Sequence, residues 1–427
     1  MKILVVGGGG REHAIIKKLK ENAQVESVTC LPGNAGIAKD ARCVPIKATD
    51  IDGIVNYVRD NPVDFAVVAP DDPLALGCVD RLHALGVKCF GPNAAAARIE
   101  ASKVFAKNLM KKYGIPTAAY EVFDDADRAL EYVKTCQIPV VVKADGLALG
   151  KGVTICMSRA EAEAAVKAAM LEGAFGASGS RIVVEEYLEG PEVSVLAFTD
   201  GHVVKPMVSS MDHKRVGDGD VGPNTGGMGT IAPNPCYTPD VAERCMKEIF
   251  LPTVAAMNAE GCPFKGCLYF GLMVTKDGPK VIEYNCRFGD PETQVVLPLL
   301  KSDLLTIMLA VENETLADTH VAFSDGAACC VMLASGGYPG KYEKGKAIDL
   351  GSAEAMACVY HSGTALDADD NLVTAGGRVL GVACTADDLK TAIEKAYAAA
   401  DQVKWDGMIY RRDIGKRALT LLNKEKN

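Results

Sequence analysis

The chain has 427 residues, 48% of them hydrophobic and 24% charged, with 46 Lys and Arg against 55 Asp and Glu for a net charge of -9. That length points to about three domains with large cores and excludes a disordered chain. The acidic balance argues against a nucleic acid as partner, because phosphate backbones recruit basic surfaces.

From residue 1 to about 100, short apolar runs alternate with helix-like segments: KILVV, REHAIIKKLK, VESVTCL, IDGIVNYVRD, VDFAVVAP, LALGCVDRLHALG and VKCFGP. This rhythm predicts an open parallel sheet with helices on both faces. Ligands of such sheets sit at the carboxyl ends of the strands, where the turns Gly7–Gly10, Pro32-Gly33-Asn34 and Pro70-Asp71-Asp72 fall. An Ala- and Lys-rich helix then leads to Gly114-Ile115-Pro116. IPVVVKADGLALGKGVTICM reads as two β-rich runs joined by a glycine loop, EAEAAVKAAM as a helix, and RIVVEEYLEGPEVSVLAF as two strands. MDHKRVGDGDVGPNTGGMG is expected to be a long polar loop, and such loops inside compact domains are functional or disordered. A helical run, TPDVAERCMKEIFLPTVAAMNAEG, precedes the strands GCLYFGLMVT and PKVIEYNCRFGD. A third unit starts near residue 325 with AACCVMLAS and contains TAGGRVLGVAC, a helix from about Asp387 to Ala400 and WDGMIYRRDIGKRAL.

Of the 15 cysteines, Cys43, Cys78, Cys89, Cys156, Cys267 and Cys384 sit singly inside apolar runs, only Cys329 and Cys330 adjoin, and there is no C-x-x-C. Buried reduced thiols are expected, rather than a zinc site or disulfide framework. Met1 leads straight into a strand pattern, and no run of about 18 apolar residues occurs, so a soluble cytoplasmic protein without membrane contact is expected.

Three motifs carry chemistry. In GGGGREHA, Gly7 and Gly9 fit a dinucleotide fingerprint, but Glu12 stands at the third glycine and the second strand ends without an acid, so NAD is rejected. The turn still suits one phosphate or carboxylate at a helix N-terminus. In KADGLALGKGV the spacing of Gly146 and Gly150 and the residue Gly152 fail the P-loop pattern. What remains is a lid with Lys143 and Lys151, suited to covering a nucleotide's phosphates. In PKVIEYNCRFGD, Glu283 and Asn285 lie two apart on a strand and share a face, offering hard oxygens to Mg²⁺, with the Arg287 fork on the same side.

A strand lysine, a glycine lid, the acidic pair and apolar hinge Glu185, Glu186, Tyr187 and Leu188, and a late E-x-N, in this order, resemble the ATP-grasp fold. GGREHA, PGNAG, VVKADGLALGKGV, DHKRVGDGDVGPNTGGMG, NCRFGDPETQ, ASGGYPG and TAGGRVLGV resemble the phosphoribosylamine–glycine ligase (glycinamide ribonucleotide synthetase) family from Val5 to about Arg417. The resemblance implies an N-terminal pre-ATP-grasp parallel sheet at 1–101, a two-lobed ATP-grasp unit at 102–324 with a lid at about 120–190, and a small α+β unit at 325–427. It implies ATP-dependent joining of glycine to 5-phosphoribosylamine through glycyl phosphate in purine biosynthesis, with Mg²⁺ or Mn²⁺, by a monomer that at most touches neighbouring pathway enzymes transiently. It further implies that Lys103, Lys143, Gly150, Lys151 and Gly152 meet the ATP phosphates, the hinge holds adenine and Glu192 the ribose. Glu283 and Asn285 are the implied metal ligands, and Arg287, Asp290, Asp212 and Lys214 the glycine and acyl-phosphate residues. Gly8, Gly9, Gly10, Arg11, Glu12, Asn34, Asp71 and Arg378 are implied for the sugar amine. Asp71 stands where the family tends to carry a glutamate. GCLYFGLMVT offers no second carboxylate for a metal, which leaves Asp212 as a candidate.

Overall fold

In the computed structural model, which describes residues 1–147 and 152–425, the opening strand Lys2–Gly7 is buried on both faces. Ile3 and Val5 enter one hydrophobic core and Leu4 and Val6 another, the two-sided burial that a central parallel strand requires. Five parallel strands form this sheet in the order Arg42–Cys43, Ser27–Pro32, Lys2–Gly7, Phe65–Val68, Lys88–Phe90. The strand order switches direction beside Lys2–Gly7, so its carboxyl end opens a crevice. A Cβ on Gly8 would lie 2.6 Å from the Gly33 carbonyl, so only glycine lets the first two strand ends approach this closely.

The same two cores continue into an antiparallel sheet of Val204–Pro206, Glu192–Thr199, Gly266–Thr275 and Gly278–Asn285. Val193, Val195, Leu268 and Phe270 join the Leu4 side, and Leu196, Phe198 and Tyr269 the Ile3 side. The four strands Tyr120–Phe123, Ile182–Glu186, Val140–Ala144 and Val153–Cys156 are different. They pack with helices Ala126–Thr135 and Arg159–Met170 around a core of their own, containing Phe123, Val133, Val140, Val166 and Val184. This lobe therefore keeps its interior if it moves as a body.

The third sheet runs Met211–Asp212, Gly229–Ala232, Ala327–Ser335, Arg378–Ala386, Cys358–His361, with Met408–Ile409 beside Ala327–Ser335. Its first two strands come from the stretch expected as a loop. Residues 211–232 are instead two sheet strands flanking a hairpin, Arg215–Gly217 with Val221–Asn224. Gly219 and Asp220, at φ +70 and +57, make its turn. The hairpin residues are polar and partly exposed, so no apolar alternation announces them. All 15 cysteines are unbridged, and only Cys358 is exposed.

Buried histidines fasten the units together. His13 Nδ1 accepts the His361 backbone N–H at 2.9 Å while Nε2 faces Asp40 at 3.1 Å. Asn34 Nδ2 donates to the carbonyls of Gly8 and His361 at 2.9 and 2.7 Å. Burial, with His13 next, pulls His361 down to about 3; burial, with Arg411 next, pulls His213 down to about 4. Both are neutral in the folded chain, whereas the unfolded chain protonates them below about 6.5. Their contribution is complete above pH 6.5 and is lost as pH falls towards 4 and then 3, with His213 alone worth about 3 kcal/mol. Urea midpoints should fall steadily between pH 6.5 and 4, and His213→Gln should flatten that slope; an unchanged slope refutes the assignment.

Candidate active site

Lys143 and Glu185 lie on adjacent antiparallel strands of the separate lobe, diagonal neighbours in the register that pairs Lys143 with Val183. Their side chains leave the lobe's core and face the central sheet, where Lys143 Nζ donates to the Ile282 carbonyl at 3.0 Å. Lys103 and Lys107 stand one turn apart on helix Lys103–Tyr113, so both project from one face. Lys107 pairs with Glu185 at 2.5 Å, and Lys143 pairs with the same carboxylate. Burial would raise the Glu185 carboxyl, but the two ammonium groups outweigh it and hold it below the ordinary range. Burial lowers both Lys103 and Lys107. Lys103 donates to the Gly146 carbonyl at 2.9 Å, and Asp145 ties the base of the glycine loop to the helix N-terminus through Ser102 Oγ and Val104 N–H at 3.0 and 3.1 Å. Gly152 is buried beyond the loop; Gly150 and Lys151 lie outside the described residues. Of the hinge, Leu188 is buried, Tyr187 half-buried and Glu186 exposed, with Glu192 exposed at the start of the next strand.

On strand Gly278–Asn285, Glu283 faces Gly271 and Asn285 faces Tyr269. A Cβ on Gly271 would come within 3.0 Å of Glu283 Cγ, so the missing facing side chain is what gives this carboxylate room. Among the described residues Glu283 has no hydrogen-bond or ion-pair partner, although Lys103 and Lys214 both feel its charge. Arg287 reaches back to Asn285 Oδ1 at 3.1 Å and is held by Glu100 at 3.0 Å.

Below this, the buried side chains of Asp212, Tyr269 and Glu292 cluster with the half-exposed Lys214. Lys214 lies 3.2 Å from Asp212, and Tyr269 donates to Glu292 at 3.1 Å. Burial pushes Glu292 up to about 7, with the Asp212 charge the next cause, and burial also raises Asp212. Desolvation would lower Lys214, but the charges of Tyr269, Asp212, Glu283 and Glu292 together raise it well above its ordinary value. A cation among acids, with Arg287 acting electrostatically on Glu292, offers opposite charges to the two ends of a small zwitterion.

The opening turn meets this cluster at Asp290. That carboxylate accepts from Gln294 at 2.8 Å and lies 3.4 Å from Arg378. Burial opposes its charge, but Arg378 and Arg11 keep its carboxyl low. Arg378 also donates to the Gly226 and Asp290 carbonyls, both at 2.7 Å, and so joins the third sheet to the hairpin base. Arg11 turns inward, to Glu12 at 2.6 Å and the Phe288 carbonyl at 3.2 Å, while Glu12 also accepts from Gly9 N–H at 2.6 Å. Arg11, Glu12 and Asn34 thus spend their side chains on shaping the turn. Among the described residues, Gln294 Oε1 and Ser362 Oγ, both beside Gly10, and Arg287 Nε are buried without a hydrogen-bond partner. Buried orphan polar atoms of this kind call for a ligand or water. Asp71 opens the short helix Asp71–Ala75 and acts electrostatically on Glu100 and Arg287.

Sequence reading missed Lys107, Glu100, Tyr269 and Gln294. Lys107 had one signal, its four-residue spacing from Lys103, and Gln294 had its four-residue spacing from Asp290; Glu100 and Tyr269 act through pairings distant in the chain.

Models of the phosphoribosylglycinamide synthetase N domain, ATP-grasp (A) domain and C domain match residues 1–100, 101–293 and 328–417. The phosphoribosylamine–glycine ligase of Xanthomonas axonopodis pv. citri is 48% identical over 98% of each chain. The chain belongs to the phosphoribosylglycinamide synthetase family. A Clostridium acetobutylicum protein of the same name is 45% identical over 97% of this chain and 100% of its own. The Thermotoga maritima phosphoribosylamine–glycine ligase structure superposes with a TM-score of 0.86 at 35% identity, covering 97% and 100% of the two chains. A biotin carboxylase from Campylobacter jejuni, at 17% identity and a TM-score of 0.74 over 95% and 92%, shares the ATP-grasp fold. Three units fold in family order, a parallel sheet, an ATP-grasp unit and a C-terminal unit.

Proposed function

We propose that the chain uses ATP to join glycine to 5-phospho-D-ribosylamine, giving glycinamide ribonucleotide, ADP and phosphate, the second step of purine synthesis. The observation that carries this is identity near one half, over 98% of this chain, to ligases of that name. A glycine carboxylate oxygen attacks the γ-phosphorus and ADP leaves. The sugar amine then attacks the carbonyl carbon of glycyl phosphate, phosphate leaves and the amine gives up a proton. Neither step needs a protein nucleophile, so catalysis rests on positioning and charge.

Lys103, Lys143 and Gly152, with Gly150 and Lys151, surround the ATP phosphates; Glu185 to Leu188 and Glu192 flank the adenosine. Lys214 and Arg287 hold the glycine carboxylate, with Asp212 and Asp290 towards its ammonium. Gly8 to Gly10 and Arg378 receive the sugar phosphate and Asp71 its edge, on a turn shaped by Arg11, Glu12 and Asn34. The unpartnered Glu283 carboxylate and the Asn285 amide oxygen fit Mg²⁺ or Mn²⁺. Among the described residues no group of three or more His, Cys, Asp or Glu forms a metal cage. Two protein oxygens suit a cation shared with phosphates, which supplies charge neutralisation when bound. The units correspond to 1–101, 102–324 and 325–427, and the enzyme works as a cytoplasmic monomer; no described helix is long and apolar enough to cross a membrane.

ADP release in the presence of ATP and phosphoribosylamine should require glycine and ignore formate and bicarbonate; release independent of glycine refutes the reading. Arg11→Ala should raise KM for phosphoribosylamine about tenfold by loosening the turn, leaving KM for glycine and ATP within about twofold. The reverse pattern would remove the turn from the acceptor site.

A further inference from the structure

The hairpin Arg215–Gly217/Val221–Asn224 joins no larger sheet, and its tip, residues 218–223, is exposed. Two short strands do not hold themselves in water. What holds them is a segment almost two hundred residues later, the stretch IYRRDIG at 409–415 that no catalytic reading absorbs. Arg411, only 2% exposed, donates to the Arg215 carbonyl at 3.1 Å and to Asp220 at 2.8 Å, and its other nitrogens grip Asp413 at 2.8 and 2.9 Å. Asp413 in turn accepts the Gly219 backbone N–H at 2.8 Å, and Asp218 accepts that of Arg412 at 2.7 Å. At the base, Gly415 N–H donates to His213 Nε2 at 3.1 Å, with His213 Nδ1 directed to the Gly229 carbonyl at 3.1 Å.

A guanidinium buried this deeply is tolerated only because every face of it is paired. All of its partners lie on the hairpin or on Asp413, so the strap has one object. That object carries the site: Thr225 N–H returns to the Lys214 carbonyl at 2.7 Å, Met228 N–H to the His213 carbonyl at 2.8 Å, and Gly227 packs on Asp212 and Pro291. Hairpin, Asp212 and Lys214 thus form one unit clamped from behind.

We propose that Arg411 and Asp413 are positioning residues for the amino-acid substrate: their strap fixes the hairpin so that Asp212 and Lys214 stand in register with Arg287 and Asp290. This rests on the reading of that cluster as the glycine site. Neither residue approaches the lobe that carries Lys143 or the opening turn, so the effect is confined to one substrate.

The test compares full-length Asp413→Ala and Asp220→Asn with the parent chain; asparagine keeps the positive φ of position 220 accessible. Expected for Asp413→Ala is a rise of about tenfold in KM for glycine, with KM for ATP and phosphoribosylamine within about twofold. Backbone amides of residues 215–224 should exchange at least about tenfold faster, while those of the parallel sheet do not change. Asp220→Asn, a milder lesion at an exposed tip, should move both readouts in the same direction by less. Arg411→Lys, which keeps the charge but loses the fork, should restore part of the glycine KM lost in Arg411→Ala. A folded Asp413→Ala chain with the parent's glycine KM, or equal rises in all three KM values, overturns the inference. If the parent chain needs no glycine for ADP release, the site reading fails instead, and unchanged amide exchange in Asp413→Ala would still refute the strap by itself.

Discussion

Glu283→Gln should turn over at least about a hundredfold more slowly than the parent chain while unfolding at the same urea concentration. The replacement keeps the shape of the side chain and removes only its charge. Because Glu283 has no hydrogen-bond or ion-pair partner among the described residues and stands opposite a glycine, the exchange breaks no contact that holds the fold. On the proposed reading that charge enters the balance around the γ-phosphate, since Lys103 and Lys214 both feel it. On the same reading this carboxylate would hold the Mg²⁺ or Mn²⁺, and an amide oxygen would hold it far more weakly. The loss should fall on kcat and should be partly relieved by raising Mg²⁺ or Mn²⁺. Turnover equal to the parent's would remove Glu283 from the reaction.

The contrast between Glu283 and Glu185 shows what sequence can carry. The shared strand of Glu283 and Asn285 was legible because the pattern is local: two residues two apart on a strand share a face. The parallel sheet was legible for the same kind of reason, since Ile3, Leu4, Val5 and Val6 announce a strand buried on both sides. Glu185 read as part of an adenine hinge, yet its side chain sits between Lys107 and Lys143, and nothing local specifies that. Glu100 and Arg287, or Asn34 and His361, meet across hundreds of residues through backbone and fork geometry that a linear pattern does not encode. The hairpin at 215–224 was hidden because it is polar, and its order comes from Arg411 and Asp413 rather than from apolar periodicity.

Glu185→Ala should destabilise the lobe of strands Tyr120–Phe123 and Val140–Ala144 by about 3–5 kcal/mol, the scale for breaking a buried ion pair from one side. The single carboxylate is shared by two ammonium groups whose side chains are 4% and 5% exposed. Without it, Lys107 and Lys143 face each other unneutralised in a region that water reaches poorly, and each must deprotonate or swing out. Swinging out takes Lys143 from the Ile282 carbonyl and deprotonation removes its charge, so KM for ATP should rise together with the loss of stability. A second change separates the two causes. In Glu185→Ala/Lys107→Met one of the two cations is gone, the remaining Lys143 keeps its contact with the central sheet, and most of the urea midpoint should return. If instead the fault were a cavity left by the glutamate, the added methionine on the neighbouring helix would restore little, and the midpoint of the double variant would stay near that of Glu185→Ala. A single variant that unfolds with the parent chain would show that the three side chains do not form a charge-balanced unit.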